Sequence, residues 1–107
     1  MDKKIKVIIK RPEEEYGHVE EIANTLEELQ RKVGGHIEVF RLSPQVIIIC
    51  NEEGKIKEMD PNLRIGFEEL VGPIIVAGVK GENFASVPCT LEQWSGAVDL
   101  NGWRIAK

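Results

Sequence analysis

Residues 24–51 read NTLEELQRKVGGHIEVFRLSPQVIIICN, and this stretch decides the fold. Asn24 is predicted to cap a helix, because its side chain can accept hydrogen bonds from the free N–H groups of the first turn. Glu27 completes a capping-box pattern in which Asn replaces the usual Ser or Thr. Gly34 can adopt the left-handed conformation that ends a helix. The inner stripe of this short helix is predicted at helical spacing, from Leu26, Leu29, Gln30 and Val33.

Two strands are predicted after the helix, at residues 37–42 and 46–51. The second is apolar on both faces, which is typical of a strand in the middle of a sheet. Asn51 and Gly54 hold the first and fourth positions of a type I turn. Residues 55–59 are then predicted to return as the polar strand of a hairpin.

The flanking segments are predicted to enlarge this core. Residues 4–10 alternate with period two, and residues 16–22 can pair with them as a glutamate-rich edge strand. Beyond the hairpin we predict a turn at 60–62, strands at 74–79 and 84–87, and a helix capped by Thr90 and Gln93 that reaches about Val98. The sequence therefore predicts a single α+β domain over residues 1–107. It has a mixed, mostly antiparallel sheet of five or six strands, one helix packed on a face and a second short C-terminal helix.

The composition narrows the functional class. The net charge is −4 and the pI is near 5.2, which argues against a general nucleic-acid binder because such proteins present a basic face. The apolar runs fall far short of the roughly 18 residues of a membrane span. The first residues contain no apolar run of signal-peptide length. We therefore expect a cytoplasmic protein with no membrane partner.

The charge is unevenly distributed along the chain. Lys4, Lys6 and Lys10 share one face of the first predicted strand and form a small basic patch, which is the candidate for nucleic-acid binding. Residues 13–38 contain eight glutamates against two basic residues. This acidic segment can meet a basic protein partner; the alternative is a solvated surface.

Taken together, these signals carry a family resemblance over roughly residues 4–95. The signals that carry it are the helix of 24–33, Val33-Gly34-Gly35, the turn at 51–55, Pro61-Asn62-Leu63-Arg64 and Val71-Gly72-Pro73. Their order resembles the domain-of-unknown-function family DUF3846, small proteins of bacteria, phages and conjugative elements. The resemblance implies a compact α+β domain in mobile or phage-derived DNA, and it implies no biochemical activity.

One feature of that family maps onto two polar residues here. Its members often show an Asn closely followed by an Arg after the hairpin, and Asn62 and Arg64 match this pattern. The tail departs from the charged helix that usually ends family members, since it contains Gly96, Asn101-Gly102 and Trp103.

Asn62 and Arg64 are the best candidates for a binding site. They lie at a predicted turn, and loops carry function more often than scaffolds do. Arg64 can grip a carboxylate or a phosphate bidentately. The alternative is structural: Asn62 closes a turn after Pro61, and Arg64 pairs with Glu68 or Glu69.

Catalytic and metal-binding motifs are absent from the sequence. The glycines form neither a P-loop nor a dinucleotide fingerprint. The paired spacing of a zinc site is not found among His18, His36, Cys50 and Cys89. We expect no cofactor. An enzyme alternative remains, in which Arg64 acts with Cys89 or a histidine in small-molecule or hydrolase-like chemistry.

We therefore interpret the sequence as a non-enzymatic protein-interaction module associated with mobile or phage-derived DNA. It would bind a protein partner through its glutamate-rich segment or through an exposed strand edge. A homodimer through such an edge, an enzyme, and nucleic-acid binding at the lysine patch are the alternatives.

Overall fold

The computed structural model describes residues 3–105, which form eight strands and two helices. In chain order these are β1 (Lys4–Lys10), β2 (His18–Ala23), α1 (Leu26–Val33), β3 (Ile37–Ser43), β4 (Val46–Asn51), β5 (Pro61–Ile65), β6 (Glu68–Val71), β7 (Ile74–Lys80), β8 (Asn83–Ala85) and α2 (Leu91–Asn101).

Six strands of the described chain form one sheet in the order β2-β1-β7-β4-β3, with β8 paired to β7. The strand pairs of this sheet are antiparallel. Strands β5 and β6 form a separate antiparallel hairpin, which the tail extends through a bridge between Leu63 and Arg104. The predicted α+β class, with a mostly antiparallel sheet and two helices, is confirmed.

Strands β4 and β7 occupy the middle of the sheet because their residues are apolar on both faces. Ile47 and Ile49 pack with the buried residues of α1, whereas Ile48 packs on the opposite side, and each is at most 1% exposed. We call these sides the α1 face and the α2 face. The α2 face is covered by α2, through Trp94 and Val98, and by the β5–β6 hairpin.

Helix α1 begins one residue later than predicted. Thr25 is the N-cap, and its hydroxyl accepts a hydrogen bond from the N–H of Glu28 at 3.2 Å. Asn24 instead donates its side-chain amide to the carbonyl of Phe84 at 3.0 Å. The capping box predicted for Asn24 and Glu27 is therefore wrong, because Asn24 is used in holding the strand that follows β7.

The helix also buries a narrower stripe than predicted. Leu29 and Val33 are buried, but Leu26 is 56% exposed. Gly34 ends the helix with a φ of 81°, as predicted. The last turn is fixed to the sheet by the side chain of Asn51, which donates to the carbonyl of Val33 at 3.1 Å.

Residues 55–59 form a closed loop, and the strand predicted there is wrong. The N–H of Gly54 bonds to the carbonyl of Asn51 at 3.2 Å, which completes the predicted turn. The chain then continues to turn, and the N–H of Met59 bonds back to the carbonyl of Gly54 at 2.9 Å. The Asn51 side chain fixes the start of this loop by accepting a hydrogen bond from the N–H of Glu53 at 2.7 Å. These local bonds replace the pairing of a hairpin.

The capping box predicted for the second helix is confirmed. The hydroxyl of Thr90 accepts from the N–H of Gln93 at 3.1 Å, and the Gln93 side chain accepts from the N–H of Thr90 at 2.9 Å. Helix α2 runs further than predicted and ends at Gly102, whose φ is 65°. Trp94 and Trp103 then hold the tail, with ring centroids 5.9 Å apart.

The segment after β8 passes close to the backbone of β7 at Gly78. A Cβ at this position would lie 2.3 Å from the carbonyl oxygen of Ser86, which is backbone and cannot move aside freely. We expect Gly78→Ala to lower the free energy of unfolding by about 1–3 kcal/mol in urea denaturation. The control is Gly96→Ala in α2, where a Cβ meets open space. It should raise the free energy of unfolding by roughly 0.5–1 kcal/mol. Equal stability of the wild type and Gly78→Ala would contradict this packing.

Candidate functional site

Two of the candidate residues, Asn62 and Lys10, meet in the interior. The turn predicted at 60–62 is wrong, because β5 begins at Pro61 and Asn62 is a strand residue that is 4% exposed. Lys10 is 2% exposed, and its ammonium donates to Oδ1 of Asn62 at 2.7 Å. Nδ2 of Asn62 donates to the carbonyls of Lys10 and Gly72, each at 2.8 Å. The pair links β1, β5 and the turn before β7 by buried hydrogen bonds, so its geometry is that of a structural contact in the interior.

The basic patch is smaller than the sequence indicated. Lys4 and Lys6 are exposed, but Lys10 on the same strand face is buried. Lys6 lies directly opposite Glu21 of β2 on that face. Two exposed lysines, one of them beside a carboxylate, remain for a nucleic-acid surface.

The residues of the enzyme alternative are not assembled. Arg64 is exposed and its guanidinium donates to Glu69 at 3.0 Å, which is one of the two partners predicted for it. Burial raises the pKa of the half-buried Cys89 thiol, which packs against the core of the α2 face. In residues 3–105, no hydrogen bond or ion pair joins Arg64 to Cys89, His18 or His36.

A groove of about 320 Å³ opens on the α2 face between β3, the loop after β4, and β6. Apolar side chains line it, among them Phe40, Cys50, Leu70 and Val71. Charged side chains also line it, namely Glu38, Glu52, Glu68, Glu69 and Lys55. This groove combines an apolar interior with a predominantly acidic border.

The environment of the groove changes the pKa of the Cys50 thiol. Burial raises the pKa of its thiol to about 11, and the negative charges of Glu38 and Glu68 add to the effect. Cys50 is therefore a neutral thiol at physiological pH and a poor nucleophile. No ion pair among the described residues involves Glu38, Glu52 or Glu68, so their charges are available to a ligand.

The outer edge of β3 presents unpaired backbone groups beside this groove. The N–H of Glu52 donates to the carbonyl of His36 at 2.8 Å, so these two residues form a hydrogen-bonded pair. With the β3–β4 register, the backbone N–H and C=O groups of the even-numbered residues of β3 therefore point toward β4, and those of the odd-numbered residues point away from it. In the described part of the chain, no strand pairs with the other side of β3. The outward N–H and C=O groups belong to Ile37, Val39 and Arg41.

The opposite edge of the sheet is protected in a different way. Strand β2 contains His18, Glu20 and Glu21, and charged side chains on an edge strand discourage pairing. Strand β3 is richer in apolar residues and has only Glu38 and Arg41 as charged members. Of the two edges, β3 is the better template for a partner strand.

Exposed apolar residues also occur at the groove and next to it in sequence. Ile56 lines the groove and is 81% exposed, and Phe67 is fully exposed. Phe67 lies in the Gly66–Phe67 turn between β5 and β6, next to Glu68 on the groove wall. Sequence reasoning missed this groove, because its lining comes from three separate segments of the chain.

Two further features of residues 3–105 concern metal ions and membranes. No group of three or more His, Cys, Asp or Glu side chains is arranged there to hold a metal ion. Neither helix of that region has the length and apolar character needed to cross a membrane.

Comparison with known families agrees with the resemblance carried by the local signals. The family model described as "Domain of unknown function (DUF3846)" matches residues 5–97, most of the chain. The chain belongs to the DUF3846 family. No curated protein and no solved structure matches it.

The first hairpin of this DUF3846 protein carries a cluster of titratable groups. His18 places Nδ1 2.8 Å from Glu14 and Nε2 2.9 Å from Glu20, and Lys32 also pairs with Glu20. Hydrogen bonds to Glu14 and then Glu20 raise the pKa of His18. Hydrogen bonds from Lys32 and His18 lower the pKa of Glu20. Burial alone would raise the pKa of Glu14, but hydrogen bonds from the Arg11 backbone and His18, with their charges, lower it.

These shifts predict a pH optimum of stability for the DUF3846 fold. The raised pKa of His18 gives a stabilisation that is complete below its ordinary pKa of 6.5 and is lost as pH rises through the folded pKa. The lowered pKa values of Glu14 and Glu20 give a stabilisation that is complete above 4.5 and is lost as pH falls through their folded pKa values. We expect the free energy of unfolding to be highest between these two pH values.

Urea denaturation over a pH series measures this profile. His18→Gln should remove the decline on the alkaline side, because it removes the group whose pKa is raised. A wild-type stability that rises between pH 6.5 and 8 would contradict the prediction.

Asn62 and Arg64 are expected to differ sharply when they are replaced in this DUF3846 protein. Asn62→Ala removes an acceptor from a buried ammonium and two donors from buried carbonyls. It should lower the free energy of unfolding by about 3 kcal/mol. Arg64→Ala removes an exposed ion pair and should cost less than about 1 kcal/mol. Thermal and urea denaturation of both variants checks this difference. An Asn62→Ala protein as stable as the wild type would refute the structural role of Asn62.

Proposed function

We propose that this protein is a non-enzymatic, cytoplasmic protein-interaction module that binds a strand of its partner along the outer edge of β3. The observation that carries the proposal is the row of outward backbone groups at Ile37, Val39 and Arg41. In strand addition, such groups supply main-chain hydrogen bonds and alternate side chains supply specificity. The adjoining groove, with the exposed Ile56 in its lining, offers contacts for those side chains.

The other candidate functions have weaker support. An enzyme using Arg64 with Cys89 or a histidine would need a shared cleft, and none of these residues lines the groove. Nucleic-acid binding through Lys4, Lys6 and Lys10 loses a contact because Lys10 is buried.

We extend the proposal to the genetic setting, which is mobile or phage-derived DNA. The support is the resemblance carried by residues 4–95, which implies that setting. Genes on either side of this one should encode plasmid, phage or transposon functions. Housekeeping genes on both sides in several genomes would count against it.

Two matched proline variants test the proposed edge. Proline has no N–H, so Val39→Pro deletes an outward donor of β3 without breaking the β3–β4 ladder. Val19 is the counterpart on β2. The hydrogen bond from the N–H of Asn24 to the carbonyl of Lys3 fixes the hydrogen-bonding pattern between β1 and β2. In this pattern the backbone N–H and C=O groups of Val19 point away from β1. The two valines are similarly exposed, at 46% and 50%.

The measurement is affinity capture from cytoplasm of the producing organism, using tagged wild type, Val39→Pro and Val19→Pro. We expect a specific protein to be retained by the wild type and by Val19→Pro, and its recovery to fall at least about tenfold with Val39→Pro. Circular dichroism should show that both variants are folded. Equal recovery by all three proteins, or no protein above background, would refute binding at this edge.

A further inference from the structure

A strand added at β3 would meet two different environments. Its side chains alternate between the two faces of the extended sheet. On the α2 face they would lie beside Glu38 and Phe40, at the mouth of the acidic groove. On the α1 face they would lie beside Ile37, which packs against the core of that face, and Val39.

The groove side favours long cationic side chains. Its lining residues include four carboxylates and one ammonium, that of Lys55. Three of the carboxylates, those of Glu38, Glu52 and Glu68, have no ion pair within residues 3–105. A lysine or arginine can bury its methylene stem on apolar side chains and carry its charge to the acidic border. The groove offers this combination through Phe40 and the four glutamates.

The α1 side favours apolar side chains. Ile37 is half-buried and Val39 is 46% exposed, so a neighbouring strand would bury both further. Cross-strand pairs of β-branched residues are among those that stabilise sheets.

We infer that the partner segment at β3 is a basic, extended peptide with Lys or Arg at every second position and apolar residues between them. This inference rests on the proposed function, because it assigns the chemistry of the strand that β3 accepts.

A second copy of this chain fits the same edge poorly. In antiparallel pairing, the outward groups of two β3 strands meet about a two-fold axis near Val39, which keeps the α2 faces of both copies on one side of the joined sheet. The two acidic grooves would then lie side by side, and like charges that face each other across strands are destabilising. Charge therefore selects a basic partner over self-association.

The experiment measures the fluorescence anisotropy of labelled synthetic peptides with the full chain. The probe is the alternating peptide KVKVKVKV. The block peptide KKKKVVVV has the same composition and charge, and EVEVEVEV has the opposite charge. We expect the alternating basic peptide to bind at least about tenfold more tightly than either control, because only it matches both faces and the charge of the groove.

Substitutions of groove glutamates and of Val39 show which contacts hold the peptide. Glu38→Gln combined with Glu68→Gln should weaken binding of KVKVKVKV about tenfold, because two unpaired carboxylates lose their charge. The charge-matched control is Glu21→Gln combined with Glu27→Gln, which lie on β2 and α1 and should leave affinity unchanged. Val39→Pro should abolish binding.

The outcomes separate this inference from the proposed function. If Val39→Pro abolishes binding but EVEVEVEV binds as well as KVKVKVKV, strand addition stands and the basic partner is overturned. If the charge variants weaken binding but Val39→Pro does not, both ideas are overturned. Failure of KVKVKVKV to bind, or dimerisation of the free chain that Val39→Pro disrupts, also overturns the basic partner.

Discussion

The apolar character of both faces of β4 and β7 is the constraint on which the rest of the structure depends. Burying an isoleucine side chain contributes roughly 1.5–3 kcal/mol, so neither face can be left open to water. Helix α1 covers one face, although it is only 8 residues long and would be marginal alone. The other face needs α2 and the β5–β6 hairpin together, and the tail adds to the hairpin through Trp103, whose carbonyl accepts from the N–H of Arg64 at 2.8 Å.

Two buried asparagines join these layers where the chain changes direction. Asn51 holds the end of α1 to the end of β4, and Asn62 holds β5 to β1 and to the turn before β7. No buried side-chain nitrogen or oxygen among the described residues lacks a hydrogen-bond partner. The interior is thus internally satisfied, whereas outward backbone groups of β2 and β3 and three carboxylates of the groove have no partner within residues 3–105.

Propensity, periodicity and turn residues agree over most of the chain, so both helices and six of the eight described strands could be predicted, but β5 and β6 could not. Two of the failures share a physical cause, which is that an asparagine amide serves distant groups as readily as near ones. Asn24 bonds to Phe84, far along the chain, so it does not cap the helix. Asn62 reads as a turn residue, yet it lies in a strand because a buried lysine requires its oxygen. The groove could not be predicted, since nothing local brings Glu38 and Glu68 together.

The loop between β4 and β5 shapes the groove without forming part of the sheet. It is anchored at Gly54, which lies against Val71, and at Met59, which lies against Gly72. Between these anchors Lys55 and Ile56 are exposed, and the hydrogen bonds of the segment close on themselves. Residues there form one wall of the groove without contributing to the sheet. Substitutions in this loop can therefore reshape the groove wall without disturbing the packing of the sheet.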